Sequence, residues 1–171
     1  MTLPDFTAPL FAHFDRLGIE TTTVEHDAVF TVEEAKATYD AIPGVHCKNL
    51  FMKDAKGALV LVVCPHDREI AANQLHKRLG CKRLSFGKPD LLMEVLGVEP
   101  GSVTPFALIN DTDRRVTVIL DADMMAAEVA NYHPLVNTAT TSIRTADLRR
   151  FLDDLGHAVR VVDLAAPQED Q

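Results

Sequence analysis

The run His46-Cys47-Lys48-Asn49-Leu50-Phe51-Met52-Lys53-Asp54 sets a lysine and an amide beside a strongly apolar stretch that ends in a polar turn. In a strand, successive side chains face opposite sides, so Lys48 and Asn49 point apart unless a bulge intervenes. A lysine in that position can grip a phosphate as a mobile point charge; on residue type alone it reads first as a surface lysine at a strand end. Cys47 beside His46 has the elements of a thiol nucleophile and its base. Adjacent residues rarely aim at one reacting atom, however, and a cysteine at the edge of an apolar segment reads first as packing. Gly101-Ser102-Val103-Thr104-Pro105 can present successive backbone N–H groups to a carbonyl or oxyanion, or is simply a loop. In Tyr132-His133-Pro134-Leu135-Val136-Asn137-Thr138 the proline biases His133 to an extended backbone, and Asn137, Thr138, Thr140 and Thr141 follow as a polar edge or as strand filler.

The ordinary catalytic signatures do not occur. The chain has no GxSxG elbow, no HExxH, no GxxxxGK[ST] phosphate loop and no dinucleotide-type glycine fingerprint. Histidines at 13, 26, 46, 66, 76, 133 and 157 are scattered without metal-ligand spacing, so neither a metal nor a cofactor is expected.

The elements that must position these residues carry their own boundary signals. Thr31-Val32-Glu33-Glu34 matches a capping box and predicts a short helix. Asp67 can cap a helix ending near Gly80, with Ala71, Leu75 and Leu79 on one face. Pro89 and Gly97 bracket a helix over 90–96, and Thr145 and Gly156 bracket a last one bearing Leu148, Phe151, Leu152 and Leu155. Strands are predicted over 58–64, 105–110, 116–121 and 159–163, the second and third joined as a hairpin by the polar turn 111–115. This mixture predicts one α+β domain over 1–164, with a loose tail over 165–171.

Bulk properties bound the function. The chain has 171 residues, 47% hydrophobic and 25% charged, which suits one globular core without disulfides. Cys47, Cys64 and Cys81 are odd in number and never paired as CxxC, as expected of reduced thiols in the cytoplasm. No signal peptide or membrane span is apparent. A net charge of −8 argues against indiscriminate coating of nucleic acid. Yet 70–89 holds no acidic residue and carries Lys77, Arg78, Lys82, Arg83 and Lys88, so the molecule can present a cationic face; the plainer reading is a solvated helix face.

The order of the motifs says more than any one of them. TVEEA, HCKNLFMKD, ALVLVV, LSFG, LLMEVLGVEPGSVTPFALIND, VILD, HPLVNTATTSI and DLRRFL follow one another from about Val24 to Leu164. This succession resembles the YbaK/ProX/PrdX family of aminoacyl-tRNA deacylases, related to the editing domain inserted in bacterial prolyl-tRNA synthetases. The resemblance implies a curved mixed, largely antiparallel sheet flanked by helices and a pocket for the 3′ end of a charged tRNA. By that resemblance Lys48 contacts the terminal adenosine or its phosphate, Asn49 orients the ester, Gly101 through Pro105 hold the aminoacyl part, and His133 fixes the ammonium or a water. Thr31, Asn137 and Thr138 fall among the substrate-binding residues, and Lys48, Lys77, Arg78, Lys82 and Arg83 among those that meet nucleic acid. One cavity is expected to gather the Lys48 amine, the Gly101 turn and the His133 imidazole.

KNLFMKD looks like the ProX/PrdX branch, which implies alanyl-tRNA(Pro) as substrate; prolyl-tRNA synthetase as a transient partner and a monomeric state are separate expectations. Cysteinyl- and seryl-tRNA deacylases of related branches remain alternatives. So does a non-catalytic tRNA-binding module, which needs neither the histidine nor the glycine-proline loop.

Overall fold

The computed structural model describes residues 3–28 and 31–165, the side chain of Val32 excepted. Helices are α1 (Ala8–Leu17), α2 (Val32–Ala41), α3 (Leu75–Leu79), α4 (Pro89–Leu96), α5 (Ala122–Ala126) and α6 (Thr145–Leu155). Strands are β1 (Thr21–Glu25), β2 (Val45–Asp54), β3 (Leu59–Pro65), β4 (Leu84–Phe86), β5 (Val116–Asp121), β6 (Val129–Tyr132), β7 (Ala139–Arg144) and β8 (Val159–Val162). The sheet runs β1-β7-β6-β2-β3-β5-β8, with β4 also on β2. Pairings β1–β7, β6–β7, β2–β3 and β2–β4 are antiparallel; β2–β6, β3–β5 and β5–β8 are parallel. Among the described residues no helix is long and apolar enough to cross a membrane.

Strand alternation divides the core between the two faces of the sheet. Leu59, Leu61 and Val63 of β3 join one cluster with Phe106, Phe14 of α1, Leu96 of α4 and Phe151 of α6. Val60, Val62 and Cys64 join a second with Leu75 and Leu79 of α3. Phe14, Phe106 and Phe151 are nearly inaccessible, and burying each such ring contributes roughly 1.5–3 kcal/mol.

Predicted boundaries hold where a cap fixes them. The Thr31 hydroxyl accepts from Glu34 N at 3.1 Å and starts α2. Gly80, Gly97 and Gly156 stop α3, α4 and α6 in the left-handed conformation. The predicted strands over 58–64, 116–121 and 159–163 appear as β3, β5 and β8.

Two predicted elements differ. The segment Pro105–Asn110 is 3-10 helical, so no hairpin joins it to β5. Pro105 fits its first turn, the Thr104 hydroxyl caps Phe106 N at 3.3 Å, and Phe106, Ala107 and Leu108 are buried. An apolar run buried on every side has no period by which strand and helix can be told apart. The helix predicted from Asp67 forms only over Leu75–Leu79 and lacks a side-chain cap. Its first half is committed elsewhere: Arg68 turns back through Arg68 N to Pro65 O at 3.0 Å, and its guanidinium reaches Asp121 and Asp123 at 3.2 and 2.7 Å. Helix α1, with Pro9 in its first turn and Leu10 and Phe14 buried, has no counterpart among the predicted elements. Of the tail over 165–171, all but Ala165 lies outside the described residues.

Candidate active site

Strand β2 serves different neighbours along its length. Val45 and His46 pair with β6, and Met52 to Asp54 pair with β4; the residues between them have a strand partner only on the β3 side. The register against β3 is unbroken from Cys47 to Lys53, so no bulge interrupts the alternation. Cys47 therefore shares the face of the first core cluster with Phe51, and Leu50 lies with Met52 on the second. Asn49 goes with Cys47 and Lys48 with Leu50.

At the seam between β2 and β6 lies a hollow of about 180 Å³. His46, Cys47 and Asn49 form its wall from β2; Asn131, Tyr132 and His133 close it from β6 and the residue that follows. Thr140 of β7, His26, and Thr38 and Tyr39 of α2 complete the lining. No carboxylate, lysine or arginine is among these residues, so the lining is neutral when its histidines are. Burial favours the neutral form of two of these histidines. The His133 pKa is lowered, chiefly by loss of solvent. Its Nδ1 lies 3.1 Å from the Ala139 carbonyl, to which it must donate, and this leaves the Nε2 lone pair as an acceptor. The His46 pKa is lowered too, by burial and then by nearby His66, and its Nε2 donates to Ile42 O at 2.8 Å. His26 donates through Nδ1 to Asp27 O at 2.8 Å, so its Nε2 accepts from the Thr140 hydroxyl at 2.8 Å.

Two further groups matter to the chemistry. Asn49 Oδ1 is buried and lacks a hydrogen-bond partner. Burial pushes the Cys47 thiol up to about 12, so it stays protonated and packs rather than attacks, as its sequence context suggests.

The Gly101 turn meets a different space. Ser102, Asn137 and Thr138 line a cleft of about 590 Å³ together with Leu135, Val136 and Met93, and a Cβ on Gly101 would stand 3.5 Å from Asn137 Nδ2. The chain leaves the hollow at His133 and turns at Leu135, whose φ is 71°, into the lining of this cleft. Val103 packs against the first core cluster, while Thr104 and Pro105 are buried and build the 3-10 segment. Thr31 caps α2 and is exposed, away from the hollow that Thr38 and Tyr39 line.

Lys48 corrects the expectation of a single shared cavity. Its ammonium donates to the Arg68 carbonyl on the other side of β2, and it lines neither the hollow nor the cleft. Alternation along an unbroken strand, the alternative to a bulge, is the reason. Asn49 and His133 do come together. Gly101, Ser102, Asn137 and Thr138 come together one loop away. Lys77, Lys82 and Arg83 are exposed on and after α3, and Arg78 donates to Asp163 O at 2.8 Å. Helix α3 covers the second cluster, the face to which Lys48 points. Sequence reasoning missed Tyr39, Tyr132 and His26 as wall residues and weighed His46 only as a base for the Cys47 thiol. Cys47 carried a signal in its two-residue spacing from Asn49, and Thr140 in the polar edge after His133.

Residues 26–151 match the family model of the aminoacyl-tRNA editing domain. The chain belongs to that family. This editing domain is 43% identical over 155 residues to a prolyl-tRNA synthetase associated domain-containing protein 1 from Danio rerio, covering 90% of this chain and 84% of that one. It is 32% identical over 161 residues to the prolyl-tRNA editing protein ProX of Acetoanaerobium sticklandii, covering 94% and 98%. A crystal structure described as that of a candidate trans-editing enzyme for prolyl tRNA synthetase shares the fold, with a TM-score of 0.71 at 19% identity over 95% and 99% of the two chains. The α+β fold with its large mixed sheet is thus shared with that structure, and by its family the chain is an aminoacyl-tRNA deacylase, a hydrolase of ester bonds.

Proposed function

We propose that this editing domain acts in trans on tRNA(Pro) carrying the wrong amino acid, alanine foremost. The observation that carries the choice is the hollow beside His133 and Asn49: at about 180 Å³ it holds roughly six waters' worth of volume. Pockets for drug-sized ligands start near ~300 Å³. An alanyl group and one attacking water suit such a space, and each added methylene discriminates by only about 1–3 kcal/mol, which a second, smaller sieve can exploit.

The chemistry asked of the site is modest. An aminoacyl ester is already reactive, so holding a water against the carbonyl and giving the developing oxyanion fixed donors is sufficient. Asn49 orients the ester or the water, and the neutral Nε2 of His133 accepts from the water or the ammonium. Lys48 has N–H donors to spare beyond the one given to Arg68 O, and it grips the backbone of the terminal nucleotide as that strand passes β2. Gly101, Ser102, Asn137 and Thr138 brace the loop bearing His133 and so set the depth of the hollow. Lys77, Arg78, Lys82 and Arg83 meet the acceptor end of the tRNA. Prolyl-tRNA synthetase is the enzyme whose errors it clears, and the two meet transiently.

The test is amino-acid release from tRNA(Pro) charged in turn with alanine, serine, cysteine and proline. Alanine should leave fastest and proline slowest; equal release of proline, or release of none, overturns the proposal. Lys48→Ala should lose one charge-assisted hydrogen bond, about 1.5–3 kcal/mol, or roughly a ten- to hundredfold drop in kcat/KM. His133→Ala should lose less.

A further inference from the structure

The rings of His46, Tyr39 and His66 form a continuous tier from the wall of the hollow to solvent. His46 is buried on β2, Tyr39 is half-buried at the end of α2, and His66 is exposed just beyond β3. Tyr39 packs on both imidazoles, with ring centroids 4.5 Å from His46 at a tilt of 33° and 4.4 Å from His66 at 42°. The tier is anchored at its inner end, because His46 Nε2 donates to Ile42 O and His46 O accepts from His66 N, each at 2.8 Å. Its outer ring, His66, packs on Tyr39 and is exposed to solvent.

The editing function as read above needs a surface in this place. The acyl group in the hollow is joined to the terminal nucleobase through a single ribose, so the base must come to rest one sugar away from the mouth. Tyr39 and His46 line the hollow, and the tier continues outward from them. Lys48 is held by the carbonyl of Arg68, two residues past His66, so a cation stands beside the same exit for the backbone of that nucleotide. The other cleft offers a single ring, Phe6, among aliphatic side chains such as Leu135 and Val136 and polar ones such as Glu99 and Asn137. Stacking on aromatic side chains holds any base by its π-face without reading its identity.

We propose that the His46-Tyr39-His66 tier is the stacking platform for the 3′-terminal nucleobase of the charged tRNA, with His66 the ring that meets the base. The proposal rests on the deacylase reading, and the following experiment separates the two. An acceptor-stem minihelix is made with 2-aminopurine as its terminal base, a fluorophore that dims on stacking, and alanine attached through a non-hydrolysable amide. Binding to the wild-type protein should quench it. His66→Ala and Tyr39→Leu should restore the brightness of the bound probe and weaken binding at least about fivefold, while His66→Phe recovers both. Phe6→Ala should change neither. A quench that survives in His66→Ala, that is absent in the wild type, or that disappears in Phe6→Ala overturns the platform. Release of alanine from the ester-linked minihelix, followed in parallel, reports on the deacylase reading alone: release without quenching sinks only the platform, and no release sinks the reading beneath it.

Discussion

Asn49 keeps a buried amide oxygen without a partner, a conformation that costs the folded protein about 1–3 kcal/mol unless something donates to it. On the role proposed for Asn49, the donor arrives with the substrate. Asn49→Leu, similar in size and lacking the orphan, should therefore raise stability by about 1 kcal/mol in urea titrations while deacylation falls; a variant that is both less stable and fully active would show that the oxygen serves the fold. His133 gives a pH signature. Burial lowers its pKa, so the ring is neutral at and above pH 6.5 and gains its proton only in more acid solution. The imidazolium would lose its acceptor and repel the substrate's ammonium, so kcat/KM should be flat above pH 6.5 and fall below it, with the fall abolished in His133→Gln. The same direction holds for stability: the unfolded chain takes up protons at His46 and His133 before the folded one does, so their contribution is complete above about pH 6.5 and is lost as the pH drops through the folded values. At this scale the sequence was legible wherever period two decided the matter. It separated Asn49 from Lys48, but it held nothing to bring Tyr39, His46 and His66 together, because those come from three elements that meet only when the chain folds back.

Elements set how well the site is held. Gly44 enters β2 with φ at +107°, and an added Cβ would approach Asn131 Nδ2 at 2.9 Å and the Val129 carbonyl at 3.0 Å. Asn131 Nδ2 donates to Pro43 O at 3.0 Å and its Oδ1 accepts from the Ser142 hydroxyl, so this one side chain ties the start of β2 to β6 and β7. Gly44→Ala should cost roughly 1–3 kcal/mol by denaturant unfolding and lower deacylation as well, since His46 and Cys47 follow directly; a neutral result would mean that the strand shifts without penalty. Caps and glycine stops were readable because each is a local chemical choice made by a few adjacent residues. The 3-10 segment Pro105–Asn110 and the shortened α3 were not, because burial on all sides in one case and the grip of distant Asp121 and Asp123 on Arg68 in the other are decided by tertiary packing.

Across the whole molecule, a cluster of cations stands against an acidic total. The chain is acidic overall at −8, yet Lys77, Lys82 and Arg83 stand exposed by α3 on the side of the sheet to which Lys48 points. The acid-free run was visible in the sequence; that Lys48 shares its side was not, since this required the topology. If that face receives the acceptor stem, Lys82→Glu with Arg83→Glu should weaken tRNA binding and flatten the plot of log affinity against log salt by roughly one for each phosphate that is no longer neutralised. An unchanged slope would move the nucleic acid elsewhere. The seam along β2 carries a last consequence. One strand belongs to both halves of the sheet and touches β6 through only two residues, Val45 and His46, before turning to β4 at its far end. The hollow therefore lies where the two halves of the sheet share few backbone hydrogen bonds, and side-chain packing rather than a ladder of amides sets its width. If that hollow is the acyl site, core substitutions outside its lining, at Ile143, become handles on which amino acid is removed.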